Sequence, residues 1–327
     1  MNTEINYRNG MERLPLHPNL VIEGHDKFGK YQLYAREVNP PGSTTMIVFT
    51  HGAAPNNREN PDKNSNPLQL YEYFQDRFAK EGFSSLVFNT RGVGKNVKVA
   101  ENLQIPMQSD RDYFAQSLND RIDDLTEVLL NIESRANPPQ KYILAGISMG
   151  ADTTTRILQK LLEMAGPDST HEETPEEIKN RKCALSIMQK ISGLMLFSPA
   201  AYRKEIYDMP SGSQEKTQFL QRRLGHENEF TLDDPKEGSD TLIQILPHTR
   251  YSYPNSVPLF VGGREDDKVV WETLPLYKKE IYNPQDFVMI PGDAHEGLLK
   301  EIKDPEDPRE KIYESAISFA KRASNKN

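Results

Sequence analysis

Cysteine is all but missing from this chain: Cys183 is the only one among 327 residues. No disulfide can form within it, which excludes a disulfide-stapled scaffold. Long apolar runs are missing too. No stretch approaches the roughly 18 apolar residues of a membrane-spanning helix, and the polar segment Met1 to Gly10 lacks the apolar core of a secretory signal. The expectation is a soluble, cytoplasmic protein. Positive charge is in deficit, with 40 Lys and Arg against 48 Asp and Glu and a net charge of −8. That balance argues against nucleic acid or an anionic membrane as the main partner. No pair of His, Cys, Asp or Glu has metal-ligand spacing on a helix or hairpin, so no metal is expected. Arg91-Gly92-Val93-Gly94 lacks the full phosphate-loop pattern and reads as a structural turn. Internal repeats and low-complexity tracts are absent as well.

Apolar residues are scarce, at 36% of the chain, with a mean hydropathy of −0.71. Long polar loops and insertions around one core follow from that scarcity. The length allows one large α/β domain or two smaller ones. Leu20-Val21-Ile22-Glu23 and Tyr31-Gln32-Leu33-Tyr34-Ala35 read as opening strands, the second with period-two alternation. Met46-Ile47-Val48-Phe49-Thr50 is a continuous apolar run, as expected of a parallel strand covered on both faces.

Leu70, Phe74 and Phe78 then recur at four-residue spacing beside Tyr71, and Gly82 closes that helix. Ser85-Leu86-Val87-Phe88 is the next buried strand, and Ile122, Leu125, Val128 and Ile132 mark a further helix. Tyr142 to Ala145, Gly193 to Phe197, Val257 to Val261 and Phe287 to Ile290 read as later strands, and Ile312, Ala316, Phe319 and Ala320 as the face of a terminal helix. Such alternation predicts a mostly parallel sheet with helices on both faces.

Two insertions interrupt the pattern. Gly166 to Ile191 opens with a solvated acidic loop, Asp168 to Glu173. Thr174-Pro175-Glu176-Glu177 then reads as a helix start, with Thr as N-cap and carboxylates at the positive dipole end. Cys183 falls on that helix as a core or semi-core thiol. The second insertion, residues 201–253, carries Phe219, Leu220 and Leu224 on one helix-like piece and Leu242, Ile243, Ile245 and Leu246 on another. Apolar segments that cannot join the sheet must cover something, and this one reads as a helical cap over the site. The core domain is then 1–200 with 254–327.

Gly146-Ile147-Ser148-Met149-Gly150 directly follows the strand at Tyr142 to Ala145 and begins a helix. This G-x-S-x-G pattern suits a nucleophile elbow, in which a sharp turn holds the serine hydroxyl above the sheet edge. Larger side chains at 146 and 150 would collide with neighbouring backbone. A serine needs a base to take its proton and an acid to orient that base; in a fold built around such an elbow they follow in the order serine, acid, histidine. Of seven histidines, only His295 lies beyond the last strands, in Ile290-Pro291-Gly292-Asp293-Ala294-His295. The acid belongs in the loop after the preceding strand, where Glu265, Asp266 and Asp267 compete. Asp266 fits best, in a tight turn after Gly263 with Val269 as apolar anchor; its neighbours read as solvated flankers. Two backbone N–H groups must receive the oxyanion. Met149 supplies one, and Ala53, with Ala54 as alternative, the other, from the loop Thr50-His51-Gly52-Ala53-Ala54. His51 precedes Ser148 and reads as a loop-shaping hydrogen-bonding residue. Trp271 reads as packing beneath the acid loop.

His51-Gly52, Asn89-Thr90-Arg91-Gly92-Val93-Gly94, Gly146-x-Ser148-x-Gly150, Gly263-x-x-Asp266 and Gly292-x-x-His295 together resemble the α/β-hydrolase fold superfamily. Phe88 to Gly94 is similar to the F-N-x-R-G-V-G segment of its soluble bacterial-type members. The resemblance spans roughly residues 30–322, apart from the two insertions. It implies an eight-stranded sheet, a Ser148–His295–Asp266 triad and no cofactor. Lys95 departs from the pattern where many relatives carry serine, and Ala53-Ala54 replaces further glycines, which weakens any link to lipases with a longer glycine-rich loop.

The expected activity is hydrolysis of a carboxylic ester or thioester through an acyl-enzyme at Ser148. The substrate is a small acyl compound, partly hydrophobic because of the apolar cap. The same triad could cleave an amide, or transfer an acyl group or cyclise if the cap excludes water. A non-catalytic ligand-binding member of the fold is a further alternative, disfavoured by the intact order of serine, acid and histidine.

Overall fold

The computed structural model describes residues 7–8, 11–12, 20–26, 29–52, 71–91, 118–166, 173–198, 257–263, 286–290, 304 and 306–325. A short hairpin, β1 (Tyr7–Arg8) with β2 (Met11–Glu12), forms a sheet of its own. Among the described residues the main sheet has eight strands: β3 (Leu20–Asp26), β4 (Gly29–Val38), β5 (Thr45–Thr50), β6 (Ser84–Phe88), β7 (Lys141–Ile147), β8 (Ile191–Phe197), β9 (Val257–Gly263) and β10 (Phe287–Ile290). Their spatial order is β10-β9-β8-β7-β5-β6-β4-β3. The β3–β4 hairpin is antiparallel and β4 runs antiparallel to β6, while all other neighbours are parallel. The described helices are α1 (Glu72–Lys80), α2 (Leu118–Glu133), α3 (Met149–Ala165), α4 (Pro175–Lys190) and α5 (Glu310–Asn325). Among the described residues, no helix is long and apolar enough to cross a membrane.

The continuous apolar strands of the sequence are the central ones. All residues of β5, β6 and β8 are buried, because helices cover both faces. Alternation sends Met46, Val48 and Leu144 to one face, against Leu125 and Leu129 of α2, Leu158 and Leu161 of α3, and Ile187 of α4. Ile47, Phe49 and Ile143 point to the other, against Phe74 and Phe78 of α1 and Ile312, Ala316 and Phe319 of α5. The two faces make separate cores on either side of one sheet.

The helix starts and stops have local causes. Gly82, at φ 81°, ends α1 in a conformation that a side chain disfavours. Thr174 caps α4 in a reciprocal box: its Oγ1 accepts from the Glu177 N–H at 3.2 Å, and Glu177 Oε2 accepts from the Thr174 N–H at 2.7 Å. The segment read as the first insertion thus carries a helix that packs Ala184 and Ile187 into the core and runs directly into β8. Cys183 is half-buried against that core. The cap, residues 201–253, and Trp271 lie outside the described residues.

Two polar residues, Arg36 and Gln75, are buried where hydrophobic periodicity reads solvent-facing positions. Arg36 of β4 is fully buried and its Nε donates to Gln75 Oε1 of α1 at 2.7 Å. Gln75 Nε2 in turn donates to the Arg36 carbonyl at 3.2 Å. This exchange ties α1 to the antiparallel edge of the sheet.

Phe74 is the hub of the second core. Its ring centroid lies 4.4 Å from Tyr313, 5.4 Å from Phe197 and 5.8 Å from Phe49, so it joins α1, α5, β8 and β5. Phe74→Ala is expected to lower the unfolding free energy by about 3–5 kcal/mol, the usual cost of emptying a buried aromatic site. Urea denaturation measures it; a loss below about 1 kcal/mol would mean that the neighbouring rings collapse into the gap.

Candidate active site

Strand β7 ends at Ile147 and α3 begins at Met149, so the reversal from strand to helix falls on Ser148 alone. Ser148 takes φ 53° and ψ −125°, a region that side chains rarely adopt and that costs on the order of 1–3 kcal/mol. Neighbouring backbone holds it there. Its N–H donates to the Phe197 carbonyl at the end of β8 at 2.9 Å, and its carbonyl accepts from Ala151 N–H at 2.9 Å.

The flanking glycines are needed for want of space. A Cβ on Gly146 would stand 2.2 Å from the Gly150 carbonyl oxygen, and one on Gly150 would stand 2.1 Å from the Thr50 carbonyl oxygen. The first turn of α3 is therefore pressed against the carbonyl end of β5. Gly52, just beyond β5, lies beside Ser148, since a Cβ there would be 3.2 Å from Ser148 Cβ. Met149, the first residue of α3, has its N–H at the positive end of the helix dipole, ahead of the first bonded amide at Ala151.

His51 is buried, 2% exposed, and both of its ring nitrogens are engaged. Nε2 accepts from the Thr90 N–H at 3.3 Å, which leaves the proton on Nδ1, 2.8 Å from the Gly52 carbonyl oxygen it donates to. Burial, with the Arg121 guanidinium nearby, pushes its pKa down to about 3. His51 is thus a neutral structural imidazole that shapes the loop.

Two buried arginines that composition does not single out fix the surrounding loops. Arg121 of α2 donates from Nη1 to the His51 carbonyl at 2.9 Å and from Nη2 to the Gly52 carbonyl at 2.8 Å. Arg91, in the segment read as a structural turn, bonds Asp124 through its N–H at 2.9 Å and its Nε at 2.6 Å. Its Nη2 reaches Tyr31 Oη at 2.9 Å, and its guanidinium carbon is 4.1 Å from that ring's centroid. The signal for Arg121 in the sequence is a cation one residue before Ile122, on the apolar stripe of a helix.

Strands β7, β8, β9 and β10 are parallel neighbours, so their carboxyl ends share one edge of the sheet. Ser148 stands at that edge. In the sequence, Asp266 follows the end of β9 at Gly263, and His295 follows the end of β10 at Ile290. Asp266, His295, Ala53 and Ala54 themselves lie outside the described residues. Among the described residues, no cluster of His, Cys, Asp and Glu is arranged to hold a metal ion.

Residues 66–166, a span that includes the elbow, match the sequence profile of a family described as serine aminopeptidase, S33. The fold matches solved structures at low identity. Est2, a thermophilic esterase from the Planctomycetes species Thermogutta terrifontis, aligns with a TM-score of 0.53 at 17% identity over 95% of each chain. Est1E from Butyrivibrio proteoclasticus, solved with ferulic acid bound, gives a TM-score of 0.53 at 17% identity over 90% of this chain and 97% of its own. The chain has the fold of the α/β-hydrolase superfamily. A carboxylesterase structure from Nitrososphaera gargenis aligns in the same way, with a TM-score of 0.52 at 13% identity over 92% of this chain and 98% of its own. No curated protein sequence matches the chain.

This α/β-hydrolase sheet owes part of its pH response to His51. Its folded pKa, about 3, lies below the roughly 6.5 of an unfolded chain. The unfolded state therefore binds a proton that the native state refuses, and stability present above about pH 6.5 is lost as pH falls towards 3. His51→Gln removes that proton from the balance. Its stability deficit against wild type should shrink by up to about tenfold in the unfolding equilibrium constant per pH unit between roughly pH 6 and 4. Urea unfolding at several pH values reads the gap; a constant deficit would mean that the imidazole titrates equally in both states.

Proposed function

We propose that the protein is a serine hydrolase that cleaves a carboxylic ester or thioester through an acyl-enzyme at Ser148. The observation that carries this reading is the left-handed backbone of Ser148 between two glycines that admit no side chain. A strained non-glycine residue kept at a strand-to-helix junction points to a use for its hydroxyl. In this reading His295 takes the serine proton as the hydroxyl attacks the acyl carbon, hands it to the leaving group, and then activates water. Asp266 holds the imidazole tautomer and stabilises the imidazolium. The N–H groups of Met149 and Ala53 receive the oxyanion. Support comes from topology, because β9 and β10, the strands that precede Asp266 and His295 in the chain, end at the edge that carries Ser148. The esterase activity named for Est2 supports the ester as substrate class, and the apolar positions of residues 201–253 support a partly hydrophobic acyl or alcohol group.

One observation favours a second reading. The profile matched by residues 66–166 is described as a serine aminopeptidase, and the same triad cleaves amides when the leaving amine can be protonated. Both readings share the acyl-enzyme and differ in the leaving group.

A fluorophosphonate probe followed by peptide mapping tests the common step. Labelling is expected at Ser148, lost in Ser148→Ala and weakened in His295→Ala. Turnover of p-nitrophenyl esters should fall by roughly a millionfold in Ser148→Ala. Faster release from aminoacyl anilides than from matched esters would favour the peptidase. A folded wild type that neither labels nor turns over would remove the hydrolase reading.

A further inference from the structure

The geometry points to Arg121 as a positioning residue that aims one amide of the oxyanion hole, an inference that rests on the acyl-enzyme reading above. Its guanidinium is a two-pronged donor spanning consecutive carbonyls, with Nη1 on His51 O at 2.9 Å and Nη2 on Gly52 O at 2.8 Å. The Gly52 oxygen accepts a second hydrogen bond from His51 Nδ1 at 2.8 Å. A carbonyl oxygen has two lone pairs, and both are now used. The plane of the peptide link that follows Gly52 is therefore fixed from one side.

A trans peptide is planar and directs its N–H opposite to its C=O. Locking the Gly52 carbonyl towards Arg121 and His51 sends the amide hydrogen of the same link the other way. Gly52 itself lies against the nucleophile, with room for nothing larger than a tightly held methyl, 3.2 Å from Ser148 Cβ. If the carbonyl were released, the peptide could turn over and present oxygen where a donor is needed. Arg121 is well placed to prevent this, being 2% exposed on α2, while the neighbouring acids Asp120 and Asp124 are bonded to Arg91. An anion-stabilising amide works only if it is aligned before charge develops. Arg121 thus acts through the loop and touches no reacting atom.

The test compares an ester with its thionoester, in which sulfur replaces the carbonyl oxygen. Sulfur accepts hydrogen bonds poorly, so an aligned hole favours the ester, and this preference reports alignment independently of how much enzyme is folded. In Arg121→Met, kcat for a p-nitrophenyl ester should fall about ten- to a hundredfold with KM within about twofold, and the ester-over-thionoester ratio should fall about tenfold. Arg121→Lys keeps the charge but cannot span both carbonyls, and is expected to lower the same ratio; it carries the test if the Met variant does not fold. Folded variants that keep the wild-type ratio and kcat would overturn the role of Arg121 and leave the acyl-enzyme intact. A wild type that is neither labelled at Ser148 nor active on esters overturns both.

Discussion

The rest of the site depends on one close approach, the first turn of α3 against the carbonyl end of β5. Gly146 and Gly150 face backbone atoms at distances that no Cβ tolerates, 2.2 and 2.1 Å to the nearest carbonyl oxygens. With α3 that near, the chain leaving β7 has a single residue in which to turn, and Ser148 takes the strained conformation. The same contact sets Gly52 beside Ser148. Ser148 and Gly52 are therefore neighbours because two backbones meet, before any side chain has a say.

Strain of this kind, on the order of 1–3 kcal/mol, persists only where the surroundings over-determine it. Here the surroundings are a strand pair and a helix in two fully packed cores. Ser148 N–H is captured by Phe197 O in the adjacent strand, and Phe197 is itself clasped by Phe74. Buried arginines carry out the finer work. Removing such a cation from water is expensive, and its pairing seldom returns a net gain over an apolar core. Arg91 and Arg121 are better understood as fixing geometry: each binds a loop at the carboxyl edge of the sheet to α2, through Asp124 in one case and through two carbonyls in the other.

Much of this is legible in the sequence, for identifiable reasons. Continuous apolar runs give β5 to β8 because those strands are covered on both faces, and the four-residue spacing of Phe74 and Phe78 survives as the buried face of α1. The Thr174 cap is local chemistry and needs no tertiary context. The G-x-S-x-G spacing reports a backbone collision, which the pentapeptide alone encodes. Arg36 is not legible, because hydrophobic periodicity scores a buried cation as a solvent-facing residue, and Arg121 shows only as a cation on an apolar stripe. Nothing in the chain around position 121 names its partners, which are backbone oxygens 69 and 70 residues away. The helix after Gly166 reads as an insertion because two helices on one crossover break the simple alternation; packing of Ala184 and Ile187 makes it part of the core. Asp266, His295, Ala53 and residues 201–253 fall outside the described residues.

Buried polar groups near the sheet are not all satisfied alike. At the amino edge Glu133 accepts from Tyr142 Oη at 2.8 Å, Ser186 Oγ at 2.6 Å and Lys190 Nζ at 2.5 Å, so a buried carboxylate is fully paired and locks α2, β7 and α4 together. At the carboxyl edge, the Thr50 hydroxyl, the Asn89 amide, and the Thr90 and Ser198 hydroxyls are buried without a hydrogen-bond partner among the described residues, and Ser198 takes φ 40°. Buried polar atoms left unpaired by their own core each cost about 1–3 kcal/mol and are normally rare. Four residues with such atoms lie at the ends of β5, β6 and β8, on the side of Ser148, while, among the described residues, Ser85 and Ser324 carry unpaired hydroxyls elsewhere.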